Sequence, residues 1–161
     1  MKGDRLYQLP EEIVKAIYRG DSDQVQRWQT KDNINAVDKY NRSAIFHAIL
    51  IKSKEVVVML LKELPDLNFK DNKGWYPLHY TAQEDLPEIA DLLIQAGADL
   101  EVKDDYGNTP LWRATFSSKG RGEMIQLLLA KNADPNNKND SGISPLELAD
   151  TIANYDIKQF F

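Results

Sequence analysis

Apolar residues recur three and four places apart in several short stretches, with polar turns between them. Val56, Val57, Leu60 and Leu61 form one such stripe, and Ile89, Ala90, Leu92, Leu93 and Ile94 form another. This spacing puts the apolar side chains on one face of a helix. The longest strictly apolar run, Val56–Leu61, has six residues, whereas spanning a bilayer takes about 20. Short amphipathic helices of a soluble chain are therefore predicted, with no membrane partner.

The turns between the stripes repeat. Asp38, Asp71 and Asp104 are 33 apart, and Asn139 follows 35 later. Ala44, Pro77, Pro110 and Pro145 keep the same offsets. Asp66, Asp99 and Asp134 carry the period through a second position. The first helix of each unit is introduced by Asp71-Asn72-Lys73-Gly74-Trp75-Tyr76-Pro77-Leu78-His79 and by Asp104-Asp105-Tyr106-Gly107-Asn108-Thr109-Pro110-Leu111-Trp112. Asp38–Phe46 is a degraded copy, and a late one ends Gly142-Ile143-Ser144-Pro145-Leu146-Glu147. Gly74, Gly107 and Gly142, with Asn41 as substitute, stand where a tight turn needs positive φ. Ser43, Thr109 and Ser144 offer a hydroxyl as helix N-cap, with proline at the first helical position in two of these units. Tyr76 breaks that rule, so its helix should start less well capped. Gly97 and Asn132 fit a left-handed C-cap after the second helix.

A period of this length, carried by this turn and helix pair, closely resembles the ankyrin repeat over nearly the whole chain. The resemblance implies an all-α fold, an ankyrin-repeat solenoid of about five helix–turn–helix units with β-turn fingers. The expected organisation is one domain, 1–161. An N-terminal cap unit (1–37) and central units 38–70, 71–103 and 104–138 precede a truncated cap unit (139–161) that stops part-way through a second helix. In the first unit Ile13, Ala16, Gly20, Val25 and Trp28 fall on the expected positions, with one residue missing before Asn33. Leu64-Pro65 replaces the usual Ala-Gly in the second, and Ser117–Gly122 lengthens the fourth by two residues.

Composition narrows the function. Of 161 residues 42% are hydrophobic, enough for a core. The net charge of −5 disfavours a nucleic-acid binder, which needs a basic face. With no cysteine and two histidines, thiolate chemistry and metal sites rich in Cys or His are excluded. No apolar segment follows Met1-Lys2-Gly3-Asp4-Arg5 as an export signal would require. A cytoplasmic location is expected, and Asn41-Arg42-Ser43 and Asn139-Asp140-Ser141 are read as chance matches to the glycosylation pattern.

No catalytic residue, metal ligand or cofactor is assigned. His79 occupies the position where the family's histidine hydrogen-bonds within and between repeats. His47 falls one place later in its unit, with no acidic constellation nearby. The acid pairs Glu11-Glu12, Glu84-Asp85 and Asp104-Asp105 are adjacent in sequence and read as solvated surface. Ser117-Ser118-Lys119-Gly120-Arg121-Gly122 lacks the spacing of a phosphate loop and reads as a longer loop between helices.

Among the tryptophans, Trp28 is read as core and Trp112 as filling between repeats. Trp75 is read as a rigid anchor for a partner, or alternatively as packing on the neighbouring finger. The resemblance implies that partners meet the finger tips and the exposed side of the first helices. That surface maps to Lys39, Tyr40, Arg42, Leu50, Lys73, Trp75, Gln83, Glu84, Tyr106, Asn108 and Phe116. Leu50 and Ile51 are alternatively buried.

The resemblance thus implies a non-catalytic protein-binding module, a monomer when free. One version is an immunity protein that neutralises a cognate bacterial toxin or effector with a basic surface. The alternatives are a cytosolic adaptor or regulatory subunit, a fragment of a larger protein, or a small nucleotide-dependent enzyme using the loop at Lys119–Gly122.

Overall fold

The computed structural model describes residues 8–161; the stretch Met1–Arg5, read as lacking an export signal, lies outside them. The described residues form nine helices: α1 (Glu11–Arg19), α2 (Ser22–Trp28), α3 (Ala44–Leu50), α4 (Lys54–Leu61), α5 (Pro77–Gln83), α6 (Pro87–Gln95), α7 (Pro110–Ser117), α8 (Glu123–Ala130) and α9 (Pro145–Thr151). A 3-10 turn follows at Ile157–Phe160. Within the described residues, extended structure is limited to isolated bridges, Gln8 with Val37 and Val37 with Ser43. No described helix is long and apolar enough to cross a membrane.

Each helix is too short to bury its apolar face alone, so the helices pack in antiparallel pairs, α1 with α2 through α7 with α8. The first members, α1, α3, α5, α7 and α9, line up in one row, and α2, α4, α6 and α8 form the other. The core lies between the rows, where Phe46, Ile49, Leu60, Leu78, Leu93 and Leu111 are almost wholly buried. Such a row is held by contacts between neighbours, which is the solenoid logic the period implied.

The 33-residue period has a local cause. Each finger opens with an acid or amide whose Oδ1 accepts the backbone N–H groups two and four residues on. Asp38 takes Tyr40 and Arg42, Asp71 takes Lys73 and Trp75, Asp104 takes Tyr106 and Asn108, and Asn139 takes Ser141 and Ile143, at 2.8–3.1 Å. Gly74 (φ 78°) and Gly107 (φ 73°) then answer two demands. They supply the left-handed turn, and a Cβ on either would fall within 3 Å of the side chain of Asp105 or Asp140 in the next finger.

Several caps differ from expectation. Thr109 Oγ1 and Ser144 Oγ accept the N–H groups of Trp112 and Glu147, both at 3.2 Å. Glu147 Oε2 accepts the Ser144 N–H in return, completing a capping box. Ser43 makes no cap bond, and its hydroxyl is buried without a partner; its expected role is corrected. Tyr76 makes no side-chain cap bond, as expected, but His79 Nδ1 accepts its backbone N–H at 3.3 Å. Ser144→Ala is therefore expected to cost about 1 kcal/mol. Ser43→Ala should be neutral or slightly stabilising, since an unpaired buried hydroxyl contributes nothing to folding. Urea unfolding of the two variants compares them directly.

The last unit also departs from the pattern. α9 has no second α-helix beside it; residues 152–161 run as an irregular segment ending in the 3-10 turn, with Ile157 fully buried. Within the central units, the loop between paired helices takes left-handed φ at Lys52, Asp85 and Lys119. Leu64 (φ 54°) does the same after α4, 33 positions before Gly97 (φ 99°), so the left-handed residue of this unit is Leu64 and not the Pro65 set against the usual glycine.

Candidate protein-binding surface

The finger-opening acids do more than shape turns. Nine residues after each stands a side chain that returns to it. His47 Nε2 lies 3.1 Å from Asp38 Oδ2, the Tyr80 hydroxyl donates to Asp71 Oδ2 at 2.6 Å, and Arg113 donates twice to Asp104 Oδ2, at 2.6 and 3.0 Å. The view of His47 as remote from any acid is thereby corrected, because the helix following the finger folds back over it. Burial lowers the His47 pKa, and Asp38 opposes that only in part. Arg42 reaches across to the next unit, donating to Asp71 Oδ2 at 2.9 Å and to the Tyr80 hydroxyl at 2.8 Å. Burial pushes the carboxyls of Asp71 and Asp104 up. Hydrogen bonds from Tyr80 and Arg42 in the one case, and from Arg113 and finger N–H groups in the other, outweigh it and hold both below the ordinary aspartate value.

His79 is fully buried and bonds both within its unit and beyond it: Nδ1 accepts from Tyr76, and Nε2 donates to the Asn108 carbonyl at 2.8 Å. Those partners require the neutral ring protonated at Nε2. Burial lowers its pKa to about 4.

These locks carry a ladder of rings and guanidinium groups along the fingers and the row of first helices. Arg42 lies over Tyr40 (5.7 Å) and Tyr80 (5.5 Å), and Tyr80 meets Trp75 edge-on at 5.1 Å. Arg113 covers Trp75 at 4.5 Å and reaches Trp112 at 5.8 Å, and Trp112 stacks on Phe116 at 5.4 Å. Both guanidinium groups are clamped by carboxylates, so the rings are held in place before any partner arrives.

The sequence-selected residues separate on this framework. Tyr40, Tyr106 and Phe116 are 50, 68 and 59% exposed. Lys39, Lys73 and Glu84 are exposed too, with Glu84 paired to Lys52 at 2.9 Å. Leu50 and Gln83 are half-buried, and Leu50 packs on the core. Trp75 is also half-buried beneath Arg113, so packing on the neighbouring unit is what the geometry shows for it. Arg42 is spent on Asp71 and Tyr80. Asn108 is buried; its amide N–H donates to Asp104 Oδ2 and its Oδ1 accepts from Asn139 Nδ2. In this conformation its side chain builds the finger instead of facing a partner.

Sequence reasoning missed Tyr18, 55% exposed at the end of α1, which meets the His47 ring edge-on with the ring centroids 5.8 Å apart. Allowing for the shorter first unit, Tyr18 is in register with Leu50, Gln83 and Phe116, so extending that register would have found it. The loop after α7 has its glycines beneath Tyr155 and Phe160 and its Arg121 paired with Asp85. Among the described residues no three His, Cys, Asp or Glu side chains converge as a metal site would need.

Comparison with known proteins agrees with this architecture. The family described as "Ankyrin repeats (3 copies)" matches residues 13–104 and 53–139. Protein phosphatase 1 regulatory subunit 27 of Mus musculus is 32% identical over 114 residues, 68% of this chain and 74% of that protein. Neurogenic locus notch homolog protein 1 of Danio rerio is 33% identical over 124 residues, 76% of this chain but 5% of that protein. NF-kappa-B inhibitor alpha of Sus scrofa is 40% identical over 74 residues, 46% of this chain and 24% of that protein. With the family match spanning most of the chain and the helix pairs and fingers in place, the chain belongs to the ankyrin repeat family.

Proposed function

We propose that the chain is a non-catalytic regulator that controls another protein by occupying its surface. The observation that carries this is the pre-ordered aromatic ladder, which ends in exposed rings at Tyr40 and Phe116 with Tyr106 on the adjacent finger. Large rings held rigid lose little entropy on binding, and such residues dominate interfaces. Relatives named as a regulatory subunit and as an inhibitor support the same class of action.

The immunity-protein version is one member of this class. The charge of −5 suits a basic toxin through steered association. We place the protein in the cytoplasm, as a monomer when free, where a chain without cysteine needs no disulfide.

The test is affinity purification of the intact protein against the double variant Tyr106→Ala/Phe116→Ala, followed by direct affinity measurement on the recovered partner. Both side chains are exposed, so folding should be unchanged by circular dichroism while affinity falls by about thirtyfold or more. Equal affinity for both proteins would place the interface elsewhere. Co-expression with a recovered toxin separates the versions: protection of the cells supports immunity, and tight binding without protection leaves only the adaptor or regulatory reading.

A further inference from the structure

The loop Ser117–Gly122 and the segment after α9 both depart from the repeat, and they meet. A Cβ on Gly122 would lie 2.3–2.7 Å from the ring of Phe160, and one on Gly120 would lie 2.8 Å from the ring of Tyr155. Real Cβ atoms do not approach so closely. The two glycines are therefore the seats of two aromatic rings that belong to the last ten residues of the chain. Ile157, between those rings in sequence, is fully buried, while Phe160 and Phe161 pack partly on the core.

The polar ties of this segment are local. Ile157 N–H donates to the Tyr155 carbonyl, Phe161 N–H to the Lys158 carbonyl and Gln159 Nε2 to the Asp156 carbonyl. Lys158 pairs with Asp150 on α9 at 2.7 Å. Among the described residues no hydrogen bond from 152–161 reaches a unit earlier than α9. The segment is thus joined to the fourth unit by a few apolar side chains alone, whereas the central units are also bonded across their junctions. Segments with few buried contacts and no ladder open at lower free energy than the rest.

We infer that residues 152–161 form a latch: Tyr155 and Phe160 dock on Gly120 and Gly122, close the end of the row in place of a second helix, and release as a unit while the repeats stay folded. The two-residue insertion after α7 is then the receiving half of that latch. This inference stands apart from the partner reading, since it concerns only contacts within the chain.

The experiment uses the full chain at neutral pH, with trypsin cleavage after Lys158 followed by mass and hydrogen exchange followed by segment. Gly122 has negative φ, so Gly122→Ala adds no backbone strain, and the atoms nearest its new methyl are those of the Phe160 ring. Gly122→Ala and Phe160→Ala should each speed cleavage at Lys158 by about tenfold, the effect of a core-scale clash or loss. Exchange should rise over 152–161 and stay unchanged in α3–α6. The double variant should be cut no faster than Phe160→Ala, because the ring the new methyl would strike is gone. Gly97→Ala, at φ 99° with nothing within 4 Å of the added carbon, should leave cleavage at Lys158 unchanged. Unaltered cleavage in Gly122→Ala, additive effects in the double variant, or exchange rising along the whole chain together would each overturn the latch.

Discussion

Asp104→Ala is expected to lower the unfolding free energy by about 3–5 kcal/mol, the scale for breaking a buried charge pair from one side. The sequence reading of Asp104 as solvated surface is corrected, since its side chain is wholly inaccessible to solvent. It accepts five hydrogen bonds: from the N–H groups of Tyr106 and Asn108, from the Asn108 amide, and twice from Arg113. Alanine would leave two finger N–H groups without acceptors and a partly buried guanidinium without its counter-charge. Arg113 would also lose the anchor that holds it over Trp75, so the ladder should loosen at its centre. Asp105→Ala is the control, because that carboxylate is half exposed and, among the described residues, pairs with Lys70 alone; its effect should be far smaller. Urea unfolding followed by circular dichroism measures both. Equal midpoints for Asp104→Ala and Asp105→Ala would mean that the finger lock does not stabilise the fold.

Acid should weaken the protein well above the range where its carboxylates titrate. In the unfolded chain the His79 imidazole takes up a proton near its ordinary value of 6.5; in the fold burial holds it to about 4. Between those values the unfolded state binds the extra proton, so stability falls as pH falls. The contribution of His79 is complete above 6.5 and is lost progressively down to 4, about 3 kcal/mol in all at 1.36 kcal/mol per unit. Protonating Nδ1 would remove the acceptor for Tyr76 N–H. Unfolding free energies measured from pH 7.5 to 4 should show this slope. His79→Leu should be less stable at neutral pH yet less sensitive to acid. His47, also lowered by burial, adds a slope of the same sign that survives in this variant. An imidazole of His79 titrating near 6.5 in the folded protein would refute the assignment.

The repeat was legible because its cause is local. An acid at Asp38, Asp71 or Asp104 closes a finger by bonding its own backbone, and a glycine at 74 or 107 makes room for the next finger. Both leave the same residue type at one position in three of the four copies, with asparagine standing in for it in the fourth. The lock nine residues on was not legible, since His47, Tyr80 and Arg113 share no chemistry that a period search would align. They share only a helix position from which a donor reaches the same carboxylate. The same limit applied to Trp75, whose cover is a guanidinium 38 positions later, and to Asn108, which sits at a variable family position but is enclosed by Asp104 and Asn139. The exposed rings at Tyr40, Tyr106 and Phe116 were readable because exposure there follows from helix and turn register alone. The missing second helix of the last unit was not readable, because its outcome depends on rings settling over glycines in another unit.

Bonds that cross from one unit to the next bear on any attempt to edit the array. Arg42 is satisfied by the third unit, His79 and Ser117 join the third to the fourth, and Asn139 ties the fifth to the fourth. Excising residues 71–103 would leave Arg42 facing Asp104, which is already taken by Arg113, and would leave no tyrosine to receive its second N–H. Duplicating residues 38–70 would likewise set the Arg42 of the first copy against an Asp38 that His47 already holds. The chain is therefore periodic in spelling but not interchangeable in its parts, and a shortened or lengthened version needs redesign on both sides of every splice.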